Sequence, residues 1–409
     1  MNEILNCRGC QDTSLDKIWR LADSPYGDLF KSSKIEALTV ESFPMTLALC
    51  SSCSLLQITQ VTDVKAQYDF YLYNSKVTNG LNNFYSQMAN RLILENDLAK
   101  NDFVLDIGSN DGSFLSHFRD QGFTVLGIEP AKTCSTVATA NGISTFNSYF
   151  DSLCVGYILQ NYKIPKLISL NYTLANLPDI KEILILLKNI MNGESVLSII
   201  TGYHPDQFSV NMFDYIGHDH LTYLTIKSMS NLCTANGFKL IDVSRVEHKG
   251  GSIQFMVTLN SSKRQMQPSV SQLLQREEWL RISDRSFYFD LKFRIENLSQ
   301  ELRKMINSIN FNRLHGIGAS ISTTYFLNQF ELNSYIDNLF DDDKNKIGKF
   351  APGSGIEVLP LEKISSGPED LSIILAWQHT SKIISRLKEI KFKGRLIIPL
   401  PKPKLIEVY

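Results

Sequence analysis

Apolar and polar positions alternate along most of this chain in blocks typical of strands and helices. Six short apolar runs predict strands: Phe103–Ile107, Thr124–Ile128, Lys166–Ser169, Glu194–Ile200, Lys239–Arg245 and Ser252–Thr258. Helical periodicity fills the intervals, most clearly at Ile180–Met191 and Ile226–Asn236. Strands that alternate with helices predict an α/β domain whose sheet is covered by helices on both faces.

A second alternation begins near residue 314 and predicts another, smaller α/β domain. Its strands and helices are expected at Leu314–Ile317, Ser320–Phe330, Tyr335–Ile336, Leu371–Ala376, Ser381–Ile390 and Arg395–Pro399. A charged helical segment precedes it, and short strands at Thr46–Cys50 and Leu55–Ile58 lie near the start of the chain. We therefore divide the chain into an N-terminal lobe (1–78), a Rossmann-like α/β domain (79–268), a helical connector (269–307) and a second Rossmann-like domain (308–409).

Cysteines are concentrated in the N-terminal lobe. Four of the seven form two pairs, Cys7-x-x-Cys10 and Cys50-x-x-Cys53. This spacing lets the two thiolates of each turn reach one tetrahedral Zn²⁺. Because no histidine lies nearby to make an open site, we predict a closed, structural zinc with four cysteine ligands, which supplies folding energy to a small lobe. Four reduced thiols without a metal are the alternative.

Composition narrows the range of partners. The 409 residues carry 41 basic and 42 acidic side chains, for a net charge of −1, so nucleic acid is not an expected partner. No apolar run reaches the length of a membrane span, and the first residues lack the basic and apolar regions of a signal peptide. We therefore expect a cytoplasmic protein that does not bind a membrane.

The segment VLDIGSNDGSF, from Val104 to Phe114, combines a strand, a glycine-containing turn and the start of a helix. Its glycines are spaced Gly108-x-x-x-Gly112, unlike the G-x-G-x-x-G of dinucleotide folds. Asp106 ends this strand and Glu129 ends the next, where an acid suits a ribose diol. An adenosine ligand without phosphates fits these acids, and S-adenosylmethionine (SAM) is the foremost candidate. An ordinary βα unit without a ligand is the alternative.

His218, Asp219 and His220 are consecutive in the segment FDYIGHDHLTYLT, which follows a predicted strand. Ligands bind beyond the carboxyl ends of strands in such sheets, so this loop is expected near the adenosine site. A histidine beside a carboxylate suits a general base near neutral pH. An H-x-H metal pair and a polar loop whose histidines cap a helix remain as alternatives.

Nine segments, in their order and spacing, resemble the bacterial SAM-dependent C-methyltransferases that act on nucleotide-linked 4-keto-deoxysugars. They are the paired cysteines, YLYNS (Tyr71–Ser75), VLDIGSNDGSFLSHF (Val104–Phe118), GIEPA (Gly127–Ala131), GHDHLTY (Gly217–Tyr223), KGGSIQ (Lys249–Gln254), GIGASISTTYFLNQF (Gly316–Phe330), KFAPGSGIEV (Lys349–Val358) and LAWQHT (Leu375–Thr380). The resemblance covers nearly the whole chain. It implies a class I SAM-methyltransferase sheet between a zinc-binding lobe and a C-terminal Rossmann-like domain that binds the nucleotide sugar.

The resemblance also implies catalytic roles. The family's loop reads Tyr-His-Glu-His, and matched residue by residue His220 is the base that takes a proton beside the sugar ketone, normally from C3. The resulting enolate attacks the methyl group of SAM. Asp219 stands at the Glu position, His218 at the first His and Gly217 at the Tyr, so the carboxylate is shortened and the phenol is missing. Tyr215, Tyr223, Tyr71 and Tyr73 are candidates to supply a phenol instead, and Tyr73 of the YLYNS segment is the one expected.

The motifs and the resemblance together assign the binding residues. SAM is expected at Asp106, Gly108, Asn110, Asp111, Gly112, Glu129 and Asn171. The nucleotide-linked sugar is expected at Tyr71, Tyr223, Lys249, Gly318, Ala319, Ser320, Tyr325 and Lys349. In the second group, the turn before the C-terminal helix is expected to offer backbone amides to a pyrophosphate.

Two other functions remain open from the sequence. An O- or N-methyltransferase, or an epimerase, of nucleotide sugars on the same scaffold is motivated by the departures at Gly217 and Asp219. A non-catalytic zinc-bearing binding protein is motivated by the cysteine pairs. The expected ligands are SAM, structural Zn²⁺ and a nucleotide-linked ketosugar, and the sequence does not distinguish a monomer from a homodimer.

Overall fold

The computed structural model describes residues 3–60, 81–364, 367 and 369–408. Within these ranges the strands form three β-sheets, which belong to an N-terminal lobe, a central domain and a C-terminal domain. The α/β class predicted from the sequence is confirmed. Among the helices of these ranges, none is both long and apolar enough to cross a membrane.

The N-terminal lobe is built around antiparallel strands. Its elements are β1 (Leu15–Ser24), α1 (Lys34–Leu38), β2 (Phe43–Cys50) and β3 (Leu56–Ile58). Strand β2 pairs with β1 on one side and with β3 on the other. Strands β2 and β3 agree with the prediction, whereas β1 is missing from it. The register shifts between β1 and β2 interrupt the alternation of buried positions by which a strand is identified.

The central domain alternates strands and helices as predicted. Its elements are α2 (Leu81–Glu95), β4 (Phe103–Ile107), α3 (Ser113–Arg119), β5 (Thr124–Ile128), α4 (Lys132–Ala140), β6 (Thr145–Phe146), α5 (Ser152–Asn161), β7 (Leu167–Asn171), α6 (Ile180–Asn189), β8 (Val196–Gly202), α7 (His204–Ser209), β9 (Thr222–Tyr223), α8 (Ile226–Asn236), β10 (Phe238–Val246) and β11 (Ser252–Leu259). The sheet order is β10-β11-β8-β7-β4-β5-β6. Neighbouring strands from β8 across to β6 run parallel, and β11 is antiparallel to both of its neighbours. Strands β4, β7 and β8 are buried throughout because helices cover both faces, which explains their unbroken apolar runs.

The C-terminal domain follows two connecting helices, α9 (Pro268–Leu280) and α10 (Arg285–Ser308). Its elements are β12 (Leu314–Ile317), α11 (Ile321–Gln329), β13 (Asn338–Asp341), β14 (Glu357–Pro360), β15 (Leu371–Ile374), α12 (Thr380–Glu389), β16 (Gly394–Ile398) and β17 (Lys404–Val408). The sheet order is β14-β13-β12-β15-β16-β17, and the β16–β17 pair is antiparallel whereas the other pairs are parallel. This order is Rossmann-like, as expected.

Two details of the C-terminal domain differ from the sequence prediction. The strand expected at Tyr335–Ile336 begins at Asn338, because Tyr335 belongs to the turn that leads into it. Strands β14 and β17 are missing from the prediction. Both are only four or five residues long, and their polar residues dilute the apolar signal.

The N-terminal lobe packs against both other domains. Toward the central domain, Leu55 shares one apolar core with Leu232 of α8. Toward the C-terminal domain, the carbonyl oxygen of Gly27 accepts a hydrogen bond from the Thr324 hydroxyl at 3.0 Å. The N-terminal lobe therefore contacts both the central domain and the C-terminal domain.

Candidate active site and zinc centre

Four cysteine thiols converge at the edge of the N-terminal lobe. The sulfur atoms of Cys7, Cys10, Cys50 and Cys53 all lie within 4.8 Å of one another. The Cys7–Cys53 and Cys10–Cys50 sulfur pairs are 3.5 Å and 3.6 Å apart. Zn–S bonds of about 2.3 Å in a tetrahedron place sulfur atoms roughly 3.8 Å apart, so this donor set fits one Zn²⁺. With four protein ligands the site is closed, and the zinc is structural.

The zinc lobe also holds the histidine loop. Strand β3 pairs with β9, which directly follows that loop, and places Leu56 opposite Tyr223. The Ile58 amide donates to the Leu221 carbonyl at 2.9 Å. The lobe is thus attached to the chain one residue after His220.

His218 faces the lobe and not the cavity. It is fully buried, its Nε2 lies 3.1 Å from the carbonyl oxygen of Ser24, and its ring packs edge-on against Tyr26 and Phe43. Burial lowers the pKa of His218 to about 4, so the imidazole is neutral and Nε2–H is the donor to Ser24. The structure therefore corrects the prediction that His218 belongs to the catalytic group: it anchors the loop.

A cavity of about 810 Å³ lies where the three domains meet. One end is bounded by the carboxyl ends of β4, β5 and β7 of the central domain, which bring Asp106, Glu129 and Asn171 together. The other end is bounded by α11 and α12 of the C-terminal domain. Asp219 and His220 line the same cavity. In α/β folds ligands bind beyond the carboxyl ends of the parallel strands, so the cavity is the candidate active site.

Asp106 and Asn171 form the floor of the central-domain end. Asp106 Oδ1 accepts hydrogen bonds from the Ser169 hydroxyl at 2.6 Å and from Asn171 Nδ2 at 3.3 Å. Burial raises the pKa of Asp106 to about 7 despite these bonds. Among the described residues no donor reaches the buried Oδ1 of Asn171. An orphaned buried acceptor and a buried acid suit a ligand rich in hydrogen-bond donors, such as the amino acid part of SAM.

Glu129 is held rigidly at the end of β5. Its Oε2 accepts from the Asn110 amide at 2.9 Å and its Oε1 accepts from the Ala131 amide at 2.8 Å. Burial raises the pKa of this carboxyl. Each carboxylate oxygen has a second lone pair, so Glu129 can still accept bonds from a ribose diol. The residues present therefore fit SAM.

The glycine turn after β4 divides into residues that face the cavity and residues that support helix α3. Gly108 and Asn110 line the cavity, but Asp111 and Gly112 do not. Asp111 Oδ1 accepts from the amide and hydroxyl of Ser113 at 3.1 and 2.6 Å. Gly112 has φ = 75°, and a Cβ there would lie 2.8 Å from Ile143. Asp111 and Gly112 thus shape the turn, and their assignment as SAM-binding residues stays a prediction.

His220 presents its imidazole to the cavity. Its backbone amide donates to the Gly217 carbonyl at 3.0 Å, and its ring lies 4.9 Å from the Tyr223 ring. Burial, and then the positive charge of Lys249, lower the pKa of His220 to about 4. Within the described ranges the imidazole makes no hydrogen bond. At neutral pH it is a neutral base that is able to take a proton.

Gly217 and Asp219 are both shaped by Tyr325 of α11. A Cβ at Gly217 would lie 2.2 Å from the Tyr325 ring, so a larger residue at position 217 does not fit. The Tyr325 hydroxyl donates to Asp219 Oδ1 at 3.0 Å and accepts from the His218 amide at 3.1 Å. Burial raises the pKa of Asp219, and the Tyr325 bond opposes this rise. The shorter carboxylate is therefore paired with a phenol from the C-terminal domain.

Two predicted substrate residues, Tyr223 and Lys249, lie in different environments. Tyr223 is buried behind the loop, where its hydroxyl accepts from the Gly217 amide at 3.3 Å, and it does not line the cavity. It supports His220 from behind, which corrects its assignment to the substrate. Lys249 does line the cavity, and its Nζ lies 3.9 Å above the Tyr172 ring.

The glycine turn before α11 does not offer free amides to a pyrophosphate. The Gly318 amide donates to the Phe340 carbonyl at 2.8 Å, and the Ala319 amide donates to Asp341 Oδ2 at 2.6 Å. The Ser320 amide donates to the Thr323 hydroxyl in a capping box at 3.1 Å. The expected pyrophosphate contacts at these amides are therefore corrected: the fold itself uses these three donors.

Lysines supply the positive charge at the C-terminal end of the cavity instead. Lys346 pairs with Asp28 at 2.8 Å, whereas Lys349 and Lys382 line the cavity without an ion pair in the described part of the chain. Lys349 was predicted from a motif. Lys346 and Lys382 were not predicted, because isolated lysines in loops and on helices carry no local signal. The expected catalytic Tyr73 and substrate residue Tyr71 lie outside the described residues.

Three family models match successive parts of the chain. Residues 7–68 match a model described as a zinc binding domain, residues 80–243 match "Methyltransferase domain", and residues 247–401 match "C-methyltransferase C-terminal domain". The third match begins before β11, so the boundary between the second and third models falls within the central sheet. Together these matches cover the zinc centre, the SAM end and the lysine end of the cavity.

Similarity to one individual protein extends over nearly the whole chain, and similarity to solved structures covers less than half of it. The chain is 25% identical to the C-methyltransferase NovU of Streptomyces niveus over 405 residues, which cover 98% of this chain and 96% of that protein. Among solved structures, a SAM-dependent methyltransferase from Clostridium acetobutylicum matches 43% of this chain and 90% of its own, with 11% identity and a TM-score of 0.34. Magnesium protoporphyrin IX methyltransferase from Synechocystis PCC 6803 matches 48% of this chain and 85% of its own, with 10% identity and a TM-score of 0.33.

Proposed function

Because this chain belongs to the SAM-dependent C-methyltransferases, we propose that it methylates the carbon beside the ketone, C3, of a nucleotide-linked 4-keto-deoxysugar. The methyltransferase models and the similarity to a C-methyltransferase over 98% of the chain favour an enzyme over a non-catalytic zinc-bearing protein. The observation that carries the proposal is the position of His220, a neutral imidazole on the wall of a cavity with an acidic end and a lysine-rich end.

The acidic end of the cavity suits SAM. Glu129 is fixed by two backbone amides and Asp106 by Ser169 and Asn171, so both carboxyls are held in place before a ligand binds. SAM, when bound there, supplies an electrophilic methyl group. An electrophile of this kind needs a carbon nucleophile for C-methylation, and the protein has to generate it.

His220 is proposed to generate that nucleophile. A carbon-bound hydrogen beside a ketone is acidic enough to be removed by a well-placed base, because the electron pair of the C–H bond becomes a C=C bond while the carbonyl π pair moves to oxygen, which gives an enolate. The low pKa of His220 keeps its imidazole neutral at neutral pH, with one ring nitrogen available to accept a proton. The neighbouring Asp219 is fixed by the Tyr325 hydroxyl, and the Tyr223 ring packs against the imidazole of His220.

The opposite end of the cavity supports a nucleotide-linked substrate. Lys349 and Lys382 have no acidic partner among the described residues, so their charges are available to a diphosphate. Their side chains come from the loop before β14 and from α12. A diphosphate held at the C-terminal domain would leave the sugar near the loop that carries His220.

The proposal is tested by identifying the product. The purified protein is incubated with ¹³C-methyl SAM and a panel of nucleotide-linked 4-keto-6-deoxysugars, and products are analysed by mass spectrometry and NMR. A methyl group on the ring carbon beside the ketone is the expected result. Label on oxygen or nitrogen would overturn C-methylation of this substrate class, and hydrogen exchange without label transfer would indicate an epimerase.

His220→Gln tests the assignment of the base. The variant is expected to bind SAM with unchanged affinity and to lose methyl transfer by about 10²-fold or more, the range typical of a lost general base. His117→Gln is the matched control, because His117 lies on α3 away from the cavity and its imidazole bonds Asn82. Near-normal turnover by the His220 variant would show that another group is the base.

A further inference from the structure

Enolate formation requires a group that stabilises negative charge on the ketone oxygen. Such a group commonly contributes a large share of the rate enhancement. The Tyr325 hydroxyl faces the loop, but it donates its proton to Asp219. Position 217 is a glycine, and the Tyr325 ring occupies the space that a side chain at this position would need. A charged donor elsewhere on the wall is therefore of interest.

Lys249 is held in a conformation that few lysines adopt. It has φ = 52°, the left-handed region that costs a non-glycine residue free energy, and Gly250 and Gly251 follow it with φ of 75° and 109°. Its neighbour His248 stacks on Phe84 with ring centroids 5.2 Å apart. Strained backbone on a cavity wall is a feature of functional sites, and it persists here because the surrounding contacts fix the turn.

The ammonium of Lys249 is placed by an aromatic ring. Its Nζ lies 3.9 Å above the ring of Tyr172, and the Tyr172 hydroxyl lies 3.2 Å from the Ser252 hydroxyl, which fixes the ring. A cation over an aromatic face is attracted to it while its N–H groups point outward. Tyr172 directly follows Asn171, and both residues line the same cavity as His220.

The charge of Lys249 acts on both members of the loop. After burial, it is the cause that lowers the pKa of His220, and it also favours the ionised form of Asp219. Burial lowers the pKa of Lys249 itself to about 8, opposed by Asp219. The lysine is thus cationic at neutral pH and helps to keep the imidazole of His220 neutral.

We propose that Lys249 binds the ketone oxygen of the substrate and stabilises the enolate that His220 generates. This inference rests on the proposed function. The C–H electron pair forms the new C=C bond, the carbonyl π pair moves to oxygen beside the ammonium, and the proton goes to His220. In the transfer step the enolate carbon forms the C–C bond, the S–CH₃ bond breaks, and S-adenosylhomocysteine leaves.

The first test compares Lys249→Met with Lys391→Met. Lys391 is also a lysine with positive φ, 60°, but it is exposed and lies outside the cavity. The Lys249 variant is expected to lose about 10²–10³-fold in kcat, as for a lost oxyanion donor, with the SAM dissociation constant within twofold of wild type. The Lys391 variant is expected to keep its kcat.

The second test is the pH profile of kcat/KM. The Lys249 ammonium lies over the Tyr172 phenol ring, and its charge interacts with Asp219, His220 and His248. Among the basic groups of this set, only Lys249 loses a positive charge above neutral pH. Wild type is expected to lose activity above about pH 8 as the lysine deprotonates. Lys249→Arg keeps the charge, so its alkaline limb is expected to move above about pH 10.

The outcomes separate this inference from the proposed function. A Lys249→Met variant with kcat within threefold of wild type would overturn the role of Lys249 alone, as would an unchanged alkaline limb in Lys249→Arg. A wild-type protein that methylates no ketosugar would overturn the proposed function, and the inference with it. A large loss in Lys249→Met with normal folding and SAM affinity would support both.

Discussion

The central and C-terminal domains each contain a strand, a glycine turn and a helix, and the two units begin alike. In both, an acid at the end of the neighbouring strand accepts from a turn amide: Glu129 from Asn110, and Asp341 from Ala319. In both, the first glycine of positive φ lies against the protein's own side chains. A Cβ at Gly108 would meet Thr173, and one at Gly318 would meet Ala376.

The two units differ in what their remaining polar groups do. After β4, Gly108 and Asn110 line the cavity, and Asn171 leaves a buried acceptor there. Before α11 a Ser320–Thr323 capping box closes the helix start. A glycine after a strand therefore indicates that the backbone closely approaches another group, either a ligand or a side chain of the protein itself. Which of the two lies against the glycine depends on residues that are distant in sequence.

Removing zinc is expected to have the largest effect, because the N-terminal lobe supports both units. Cys10→Ser should lower the zinc content and cost several kcal/mol of unfolding free energy, since metal binding is coupled to folding of such lobes. Thermal unfolding and metal analysis measure this. Cys154→Ala is the control, as Cys154 is a buried thiol away from the cluster. Full zinc and an unchanged melting temperature in Cys10→Ser would contradict the four-cysteine zinc site.

The two acids provide the next contrast. Glu129→Gln should weaken SAM binding by about 10- to 100-fold, because a hydrogen bond to a charged group contributes roughly 1.5–3 kcal/mol. Asp341→Asn should leave the SAM affinity within twofold of wild type, because Asp341 accepts a hydrogen bond from Ala319 within the C-terminal domain. Calorimetric titration of both variants tests this. Equal losses of SAM affinity in the two variants would contradict the assignment of SAM to the turn of the central domain.

Much of the fold and part of the site were predictable for definite physical reasons. Strands such as β4 and β7 are buried on both faces and therefore read as apolar runs. The cysteine spacing encodes a turn that carries two ligands, so the zinc centre was equally visible. The edge strands β1, β14 and β17 were not visible, since their packing depends on partners far along the chain.

The site was less predictable because a motif does not show which way its side chains face. His218 and His220 are two residues apart in one motif, yet His218 faces Ser24 of the N-terminal lobe and His220 faces the cavity. The partnership of Gly217 with Tyr325 joins residues more than a hundred positions apart. Such contacts arise only when three domains are packed together.

Lys349 and Ser320 sharpen the contrast within the C-terminal domain. Lys349→Met should raise KM for the nucleotide sugar about tenfold, the effect of losing one charge-assisted hydrogen bond. Ser320→Ala should mainly reduce stability, by about 1 kcal/mol, because it removes a helix cap. Steady-state kinetics and denaturant unfolding separate the two effects. A larger KM effect at Ser320 than at Lys349 would restore the pyrophosphate site at the glycine turn.

The smallest expected effect is the pH dependence of SAM binding. Burial raises the pKa of Asp106 to about 7, so this carboxyl gains a proton as pH falls from about 8 to about 6. SAM carries positive charge and favours the ionised carboxyl, so its affinity should fall several-fold over that range. Asp106→Asn should flatten the dependence, measured by calorimetry. A wild-type affinity that rises toward the acidic end of that range would contradict the assignment.

The central claim is that His220 removes a carbon-bound hydrogen beside a ketone, and hydrogen exchange tests it most directly. Wild type and His220→Gln are incubated in D₂O with the nucleotide-linked ketosugar and S-adenosylhomocysteine, and deuterium is located by NMR. We expect wild type to introduce one deuteron at the carbon beside the ketone, and the variant to do so at least about 100-fold more slowly. Exchange at the wild-type rate in His220→Gln would contradict the claim.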